Sequence, residues 1–396
     1  MTVPASGLNE RCAHRLLHSV FVAMLTTSWA LWGLSEGLAG DPLNELIEPN
    51  EASPYFADFL THYWPAARQV WEAGSPTPGF QYPPFAAVVM GPLGAVAEGT
   101  AAAAWALILG LSAGALAGVP LRGGRTTRRL LTVLLIASAP LWHCLRWGQL
   151  SLPLTALAIW GTAAKEWRLG EWLLGGAIAV KGYPAILLAP MLKAPSGRST
   201  VLRIALATAI FGLAVPAIVL GWPRAFEWLA AAVSVLADAS GWTGLTSNAQ
   251  YLPYIVRRLL GGPAWLWAAI SAVMGVFILI KAGGELRLGN RDRGLAMAWL
   301  TMPLIVPPAW THYFVFMPWA LVVGFDTSSR RQPGWRLLWA LAAVLSSVPG
   351  IAMVGGWKVY AHVGFPAIAD LLLLAAFLKS SQNCADGSDR MAPVTH

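Results

Sequence analysis

Long apolar runs separated by short polar connectors make up most of this chain of 396 residues. Their lengths approach the roughly 20 residues that an α-helix needs to cross the hydrocarbon core of a bilayer. By hydropathy, the clearest predicted spans are residues 16–34, 100–119, 129–144, 148–164, 201–220, 263–282, 294–308, 310–325, 336–354 and 364–378. No long polar insert interrupts the series. The pattern therefore predicts an all-α, polytopic integral membrane protein with a single membrane domain over residues 1–396.

Two further apolar stretches do not fit a simple spanning helix. Residues 83–97 open with two prolines and contain Pro92, which favours a re-entrant or interfacial segment. Residues 170–192 contain Lys181 near their middle, so we expect two short helices that meet near this lysine. Such a break is tolerated only where protein or a watery cavity covers the freed backbone groups. Together with the clear spans, these stretches give about twelve transmembrane or half-membrane helices.

Basic residues concentrate in alternate connectors, and the positive-inside rule places those connectors in the cytoplasm. This orientation predicts a cytoplasmic N-terminus at residues 1–15 and a cytoplasmic, disordered tail at residues 379–396. It leaves two long extracytoplasmic loops, residues 35–82 and 221–262, and loops of such length are usually functional. We therefore expect the chemistry in these loops, the first of which is strongly acidic.

The composition supports a membrane protein and excludes several classes of function. Hydrophobic residues make up 56% of the chain and charged residues only 12%, with a net charge of +8. The arginines lie in short connectors between apolar runs, so nucleic-acid binding is not expected. The three cysteines show neither paired nor metal-ligand spacing. No carboxylate or histidine cluster has ligand spacing, so we expect no metal and no cofactor.

Asp58 is the candidate catalytic carboxylate of the first loop. Residues 57–73 place apolar side chains at three-to-four spacing, which predicts an amphipathic helix at the membrane surface. Asp58 stands at its start, and aspartate is a favoured N-cap, so a purely structural role is one interpretation. The other is a carboxylate that takes a proton from an acceptor hydroxyl.

Three basic residues are candidates for binding a phosphate group. Lys181 lies within an apolar segment, where a lysine is costly and usually faces a cavity, although it can also extend to the surface. His312 lies at the predicted outer end of a helix and can donate hydrogen bonds or serve as an interfacial residue. Arg257, next to Arg258, lies in the second outside loop and could bind phosphate or pair with the acidic first loop. Arg146 has the same ambiguity.

Several short motifs occur in an order that resembles glycosyltransferase family 87. They are Asp58-Phe59 with the following Tyr63, Phe80-Gln81-Tyr82-Pro83-Pro84-Phe85, Gly148-Gln149, Lys181-Gly182-Tyr183-Pro184 and Trp310-x-His312-Tyr313. The resemblance runs from about residue 16 to residue 325. Two positions depart from the family pattern. Ser151 stands where asparagine is usual, and Ser247-Asn248-Ala249-Gln250 matches the family's Asn-Gln-Ser only loosely.

This resemblance implies a GT-C type fold and an inverting hexosyltransferase, most often a mannosyltransferase. Its expected partners are a polyprenyl-phosphate sugar donor, a glycolipid or glycan acceptor and membrane lipids, with the active site on the extracytoplasmic face of the cell (plasma) membrane. By resemblance, Asp58 is the catalytic base and Lys181, His312 and Arg257 bind the donor phosphate. The residues implied to contact substrate are Tyr63, Tyr82, Gln149, Asn248 and Tyr313.

Two other classes of protein remain as alternatives. A transporter or lipid flippase of the cell envelope would also have about twelve segments and intramembrane charges. It would show duplicated halves with polar residues near mid-membrane, whereas acids and irregular chain concentrate here in one outside loop. A noncatalytic scaffold for envelope assembly would tolerate the loss of Asp58.

Overall fold

The computed structural model describes residues 5–36, 54–72, 74–77, 80–121, 124–163, 167–242, 246, 248–327 and 333–388. These residues confirm the all-α prediction, because they form helices throughout and contain no β-strand. Only two isolated β-bridges occur in these ranges, Ser138 with Ser347 and Ala249 with Trp310. Most acidic residues of the first loop lie outside the described ranges.

Twenty-one α-helices follow one another along the described chain. They are α1 (Ala5–Glu36), α2 (Trp64–Trp71), α3 (Pro84–Gly94), α4 (Glu98–Gly118), α5 (Arg125–Ala137), α6 (Ala139–Trp147), α7 (Ser151–Ala163), α8 (Trp167–Val180), α9 (Leu188–Met191), α10 (Gly197–Ala209), α11 (Val215–Leu220), α12 (Trp222–Trp242), α13 (Leu252–Leu260), α14 (Ala264–Arg287), α15 (Arg291–Trp299), α16 (Met302–Ile305), α17 (Met317–Thr327), α18 (Pro333–Leu345), α19 (Val348–Met353), α20 (Trp357–Val363) and α21 (Phe365–Ser388). Two π-helical segments, Phe59–Tyr63 and Ile210–Ala214, and two 3-10 segments, Tyr183–Leu187 and Thr311–Phe316, connect some of them.

Four described helices are long and apolar enough to cross a membrane. They are Cys12–Ser35, Glu98–Gly118, Gly197–Leu220 and Ala264–Arg287. The pair α20 and α21, bent by 53° at its break, would make a fifth span. Shorter apolar helices occupy the predicted re-entrant or interfacial segment, at Pro84–Gly94, and the predicted span 148–164, at Ser151–Ala163. The chain is a membrane protein, and the count of about twelve segments stays a prediction, because these shorter helices do not cross a bilayer alone.

Paired serines divide two predicted spans that hydropathy treats as continuous. Ser138 separates α5 from α6, and Ser347 precedes α19. Each serine hydroxyl accepts a hydrogen bond from the backbone of the helix that follows, at Leu141 and Gly350 respectively. The two breaks also meet each other, since the Ala139 amide donates to the Ser346 carbonyl at 3.0 Å. N-capping and this backbone pairing satisfy the groups that the broken helices free.

The predicted break near Lys181 is confirmed, while parts of the predicted loops and tail are helical. Helix α8 ends at Val180, and a 3-10 turn begins at Tyr183, since Pro184 fixes the backbone there. The predicted loop over residues 221–262 contains α12 and α13. Helix α21 continues to Ser388, so the first part of the tail expected to be disordered is helical. Apolar side chains of α12 and α13, such as Trp228 and Ile255, pack into the core, which a sequence-based boundary does not reveal.

Helices α8 and α10 run side by side in the same direction and thereby define the two ends of the bundle. The Arg203 guanidinium contacts the Glu171 carboxylate at 2.6 Å, and the Thr208 hydroxyl donates to the Gly175 carbonyl at 3.3 Å. Both helices therefore advance together toward the end that carries Lys181. Helix α10 begins at the opposite end, at Gly197.

Candidate active site

Asp58 lies at the start of the π-helical turn Phe59–Tyr63 but does not cap it. Its backbone is helical, with φ −67° and ψ −34°, and its side chain makes no capping hydrogen bond. The carboxylate instead accepts a hydrogen bond from the side-chain amide of Gln149. The capping interpretation is therefore wrong. A π-helical turn at this point is notable because such turns often occur at functional sites.

The turn between α6 and α7 forms the surface on which the Asp58 segment rests. Gly148 adopts a left-handed conformation with φ 66°, and a Cβ at this position would lie 2.9 Å from the Cβ of Phe59. Phe56 packs against the same point, at 3.2 Å from that position. The indole of Trp105 donates to the Gly148 carbonyl at 2.8 Å and stacks on Phe59. Only glycine combines this conformation with such a close approach.

Arg146 attaches the chain that leads into Asp58 to the end of α6. Its side chain is 1% exposed, and its guanidinium donates to the Pro54 carbonyl at 2.9 Å. Its own carbonyl accepts from the Phe56 amide at 3.0 Å. The guanidinium also lies over the rings of Tyr55 and Trp147. Arg146 therefore positions the segment around residues 54–56.

A continuous series of hydrogen bonds joins Asp58 to Lys181. Gln149, which donates to Asp58, accepts from the Tyr63 hydroxyl at 2.9 Å. The Tyr63 and Tyr82 hydroxyls lie 2.8 Å apart. The Lys181 ammonium donates to the Tyr82 hydroxyl at 3.5 Å. The structure thus brings these five predicted site residues together, and all except Asp58, which is half-buried, are buried.

Lys181 is buried among hydroxyl groups and aromatic rings at the end of α8. Its ammonium contacts the Ser151 hydroxyl at 3.4 Å and lies 4.2 Å from the ring centre of Tyr313. The Tyr183 ring stacks on Tyr313, with centres 4.8 Å apart. Ser151 occupies the position where the family pattern has asparagine, and here it contacts the lysine. The surface interpretation of Lys181 is therefore wrong, since its side chain is enclosed rather than extended to the surface.

His312 continues the same cluster on the other side of Tyr313. The His312 and Tyr313 ring centres lie 5.0 Å apart, and His312 is only 5% exposed. Its ring stacks on His143 at 5.6 Å, and His143 in turn stacks on Trp357 at 5.0 Å. Neither ring nitrogen of His312 has a hydrogen-bond partner among the described residues. Both nitrogens can therefore bind a ligand.

Asn248 reaches this cluster, whereas Arg257 does not. The Asn248 side-chain nitrogen lies 3.4 Å from Nε2 of His143. The chain after Asn248 is held close because the Gln250 amide donates to the Ala309 carbonyl at 2.6 Å. The Arg257 side chain is exposed, and no hydrogen bond within the described ranges joins it to the cluster. Its neighbour Arg258 instead donates to four backbone carbonyls, those of Thr246, Ala249, Ala361 and His362.

His143 and Trp357 belong to the cluster, although no sequence motif predicts a functional role for either residue. His143 is a buried polar residue within a predicted span, and its cost in an apolar segment is a usable signal for a functional role. Trp357 is one of 21 tryptophans, and nothing in its local sequence distinguishes it. Its contact with His143 depends on the packing of α20 against α6.

The cluster combines one carboxylate, one lysine and two imidazoles in a mostly buried setting. A carboxylate held by an amide can take a proton, while an ammonium and imidazoles can stabilise a departing anion. Burial lowers the pKa of His62, which lies on the same π-helical turn as Tyr63. No group of three or more potential metal ligands occurs in the described part of the chain. The arrangement of the carboxylate, the lysine and the imidazoles suits base-assisted group transfer to an acceptor hydroxyl, with departure of an anionic leaving group.

Comparison with known proteins agrees with this chemistry. The model of glycosyltransferase family 87 matches residues 80–308, and the chain belongs to this family. The matched range includes Tyr82, Gln149, Lys181 and Asn248 and is narrower than the resemblance expected over residues 16–325. Asp58 and His312 lie outside it.

Two curated relatives have the same name, polyprenol-phosphate-mannose-dependent alpha-(1-2)-phosphatidylinositol pentamannoside mannosyltransferase. The one from Mycobacterium tuberculosis is 29% identical over 302 residues, and the match covers 72% of this chain and 64% of the relative. The one from Mycolicibacterium smegmatis is 28% identical over 303 residues, and the match covers 72% of this chain and 67% of the relative. The chain thus spans about two thirds of the length of these relatives.

Proposed function

We propose that this protein transfers a hexose, which we assign as mannose, from a polyprenyl-phosphate sugar to the hydroxyl of a glycolipid or glycan. Family membership supports the reaction class, and the printed names of the two relatives support the donor. The observation that carries the proposal is the hydrogen-bonded series from Asp58 through Gln149, Tyr63 and Tyr82 to Lys181. It joins a carboxylate and a cation in one site, as an inverting transfer requires.

In this proposal Asp58 is the catalytic base. The acceptor oxygen attacks C1 of the donor sugar, its proton passes to the Asp58 carboxylate, and the bond from C1 to the phosphate oxygen breaks. Gln149 supports this role because its side-chain amide holds one carboxylate oxygen of Asp58 in place. A positioned base of this kind contributes roughly 10²–10⁴-fold to a rate.

Lys181 and His312 are proposed to stabilise the polyprenyl phosphate as it departs. Lys181 supplies the buried positive charge, and His312 supplies ring nitrogens without partners in the described ranges. Tyr313 lies between them, and it is proposed to contact substrate together with Tyr63, Tyr82, Gln149 and Asn248. We leave Arg257 out of the donor site, because its exposed side chain does not reach the cluster.

We further propose a glycolipid acceptor and an active site on the extracytoplasmic side of the membrane. Both relatives are named for a phosphatidylinositol pentamannoside acceptor, which supports a glycolipid acceptor for this chain. The distribution of basic connectors supports our proposal that the Asp58 segment lies on the extracytoplasmic face of the plasma membrane. The lipid-linked sugar is a substrate, so the proposed reaction needs no further cofactor. Membership of a glycosyltransferase family does not favour the transporter, flippase or scaffold alternatives.

The test is transfer of radiolabelled mannose from polyprenyl-phosphate mannose to a membrane glycolipid extract by the purified protein. We expect transfer by the wild type and a loss of at least about 100-fold in Asp58→Asn, because the amide cannot take the proton. Glu98→Gln is the matched control, since Glu98 is an exposed acid at the start of α4.

Each outcome bears on a separate part of the proposal. Full activity of Asp58→Asn would refute the base assignment. Equal losses in Asp58→Asn and Glu98→Gln would indicate a nonspecific effect of removing an acid. Transfer from another polyprenyl-phosphate hexose, with none from the mannose donor, would overturn the choice of mannose. No transfer from any such donor would refute the enzyme proposal.

A further inference from the structure

Apart from the candidate active site, the bundle contains a cavity at the end opposite Lys181. Its volume is about 420 Å³, within the roughly 300–1,000 Å³ of small-molecule sites. Its lining includes Met191, Gly197, Leu286, Arg287, Arg291 and Leu295. These residues lie in and beside the two connectors that follow α9 and α14, so the cavity shares no residue with the candidate active site.

The cavity lies where one candidate membrane span begins and another ends. The span Gly197–Leu220 starts at its edge, and the span Ala264–Arg287 finishes there. Both helices carry exposed apolar side chains farther along, including Leu202 and Leu206 on α10 and Phe277 on α14. Because such surface faces acyl chains, the cavity lies at the depth of lipid headgroups rather than in the hydrocarbon core.

The lining of the cavity is basic on its polar side and apolar on the other. Arg287 ends α14 and Arg291 begins α15, so two guanidinium groups from neighbouring elements reach one cavity. The nearby acid Glu285 is already bound, since it contacts Arg293 at 3.2 Å and accepts from Asn290 at 2.8 Å. Asp292, in the first turn of α15, is the other acid on this connector, and it does not line the cavity.

We propose that this cavity binds the headgroup of an anionic phospholipid. The two arginines would contact the phosphodiester, since guanidinium groups bind phosphate oxygens through paired hydrogen bonds. Met191, Leu286 and Leu295 would contact the glycerol and the first acyl carbons. Helix α10 begins in the same place, and its N-terminal dipole adds to the attraction for an anion. Basic pockets between helix ends on the cytoplasmic side recognise anionic lipids in this way.

The test measures the melting temperature of the purified protein in detergent during titration with phosphatidylglycerol. The main variant is Arg287→Glu, and the matched control is Lys281→Glu. Both positions are exposed basic residues on α14, but only Arg287 lines the cavity. We expect the half-saturating lipid concentration to rise at least about tenfold in Arg287→Glu, with less than about a twofold change in the control. Arg291→Gln provides a second variant within the cavity and should act in the same direction.

Three results would overturn the proposal. Equal effects of Arg287→Glu and Lys281→Glu would indicate diffuse surface charge instead of a site. Equal stabilisation by phosphatidylcholine would exclude recognition of the negative charge. Stabilisation by inorganic phosphate that matches phosphatidylglycerol and is lost in Arg287→Glu would identify a site for a free anion rather than for a lipid. None of these measurements depends on sugar transfer, so they test the cavity independently of the proposed enzyme function.

Discussion

Gly148→Ala tests whether the turn between α6 and α7 positions Asp58. The left-handed backbone at φ 66° costs a non-glycine residue about 1–2 kcal/mol. The added methyl would also lie 2.9 Å from the Phe59 Cβ, and overpacking of this kind costs about 1–3 kcal/mol. We therefore expect the free energy of unfolding to fall by about 2–5 kcal/mol. Displacing Phe59 also shifts the adjacent Asp58, and a misplacement near 1 Å lowers turnover by about 100-fold.

Two other glycines separate the causes of these effects. Gly221 also has positive φ, at 81°, but a Cβ there meets nothing within 4 Å, so Gly221→Ala measures backbone strain alone, about 1–3 kcal/mol. Gly99 lies in α4 with open space around it, so Gly99→Ala should leave stability unchanged or raise it by up to about 1 kcal/mol. Neither variant should change the turnover of the folded protein.

The assay combines denaturant unfolding followed by tryptophan fluorescence with mannosyl transfer per folded molecule. Gly148→Ala should lose both stability and turnover, Gly221→Ala should lose stability only, and Gly99→Ala should lose neither. If Gly148→Ala matched Gly221→Ala in turnover, the turn would not position Asp58. If it matched Gly99→Ala in stability, the close approach of Phe59 to the turn would be wrong.

Three further substitutions test the contacts around the site. Gln149→Leu removes the hydrogen-bond donor to Asp58. Because a hydrogen bond to a charged group contributes about 1.5–3 kcal/mol, we expect kcat to fall about 10- to 100-fold in steady-state kinetics. An unchanged kcat would contradict the positioning role of Gln149. Arg146→Met should speed proteolysis of the segment before Asp58, because it removes the hydrogen bond from the guanidinium to the Pro54 carbonyl. Arg146→Lys should give an intermediate rate, since lysine keeps the charge without the planar guanidinium. Equal proteolysis rates in wild type and Arg146→Met would refute the positioning role of Arg146. Arg258→Gln should speed hydrogen exchange at residues 246–250, because Arg258 donates to backbone carbonyls there. The control is Arg257→Gln at the exposed neighbouring position, which should leave the exchange rate unchanged. Equal effects of the two substitutions would show that the backbone contacts of Arg258 are unimportant.

Much of the architecture follows from the sequence alone. The all-helical membrane character depends on the length of the apolar segments and on the scarcity of charged residues. Both properties can be counted along the sequence without knowledge of tertiary contacts. The break near Lys181 was predictable because a lysine, a glycine and a proline within one apolar segment oppose a continuous helix. By contrast, the breaks at Ser138 and Ser347 depend on each other across the bundle, and hydropathy averages over them.

The sequence also predicted residues that meet in the candidate site, since the order of short motifs pointed to Asp58 and Lys181. It left open whether the Asp58 side chain caps its own helix or is held in a site where it can take a proton. Only tertiary structure decided this, because the partner Gln149 lies 91 residues away. The same holds for the stack of Trp357 on His143, which joins distant helices. Arg257 and Arg258 illustrate the reason most directly. Adjacent residues on a helix point about 100° apart, so packing alone determines which of them faces the protein and which faces solvent.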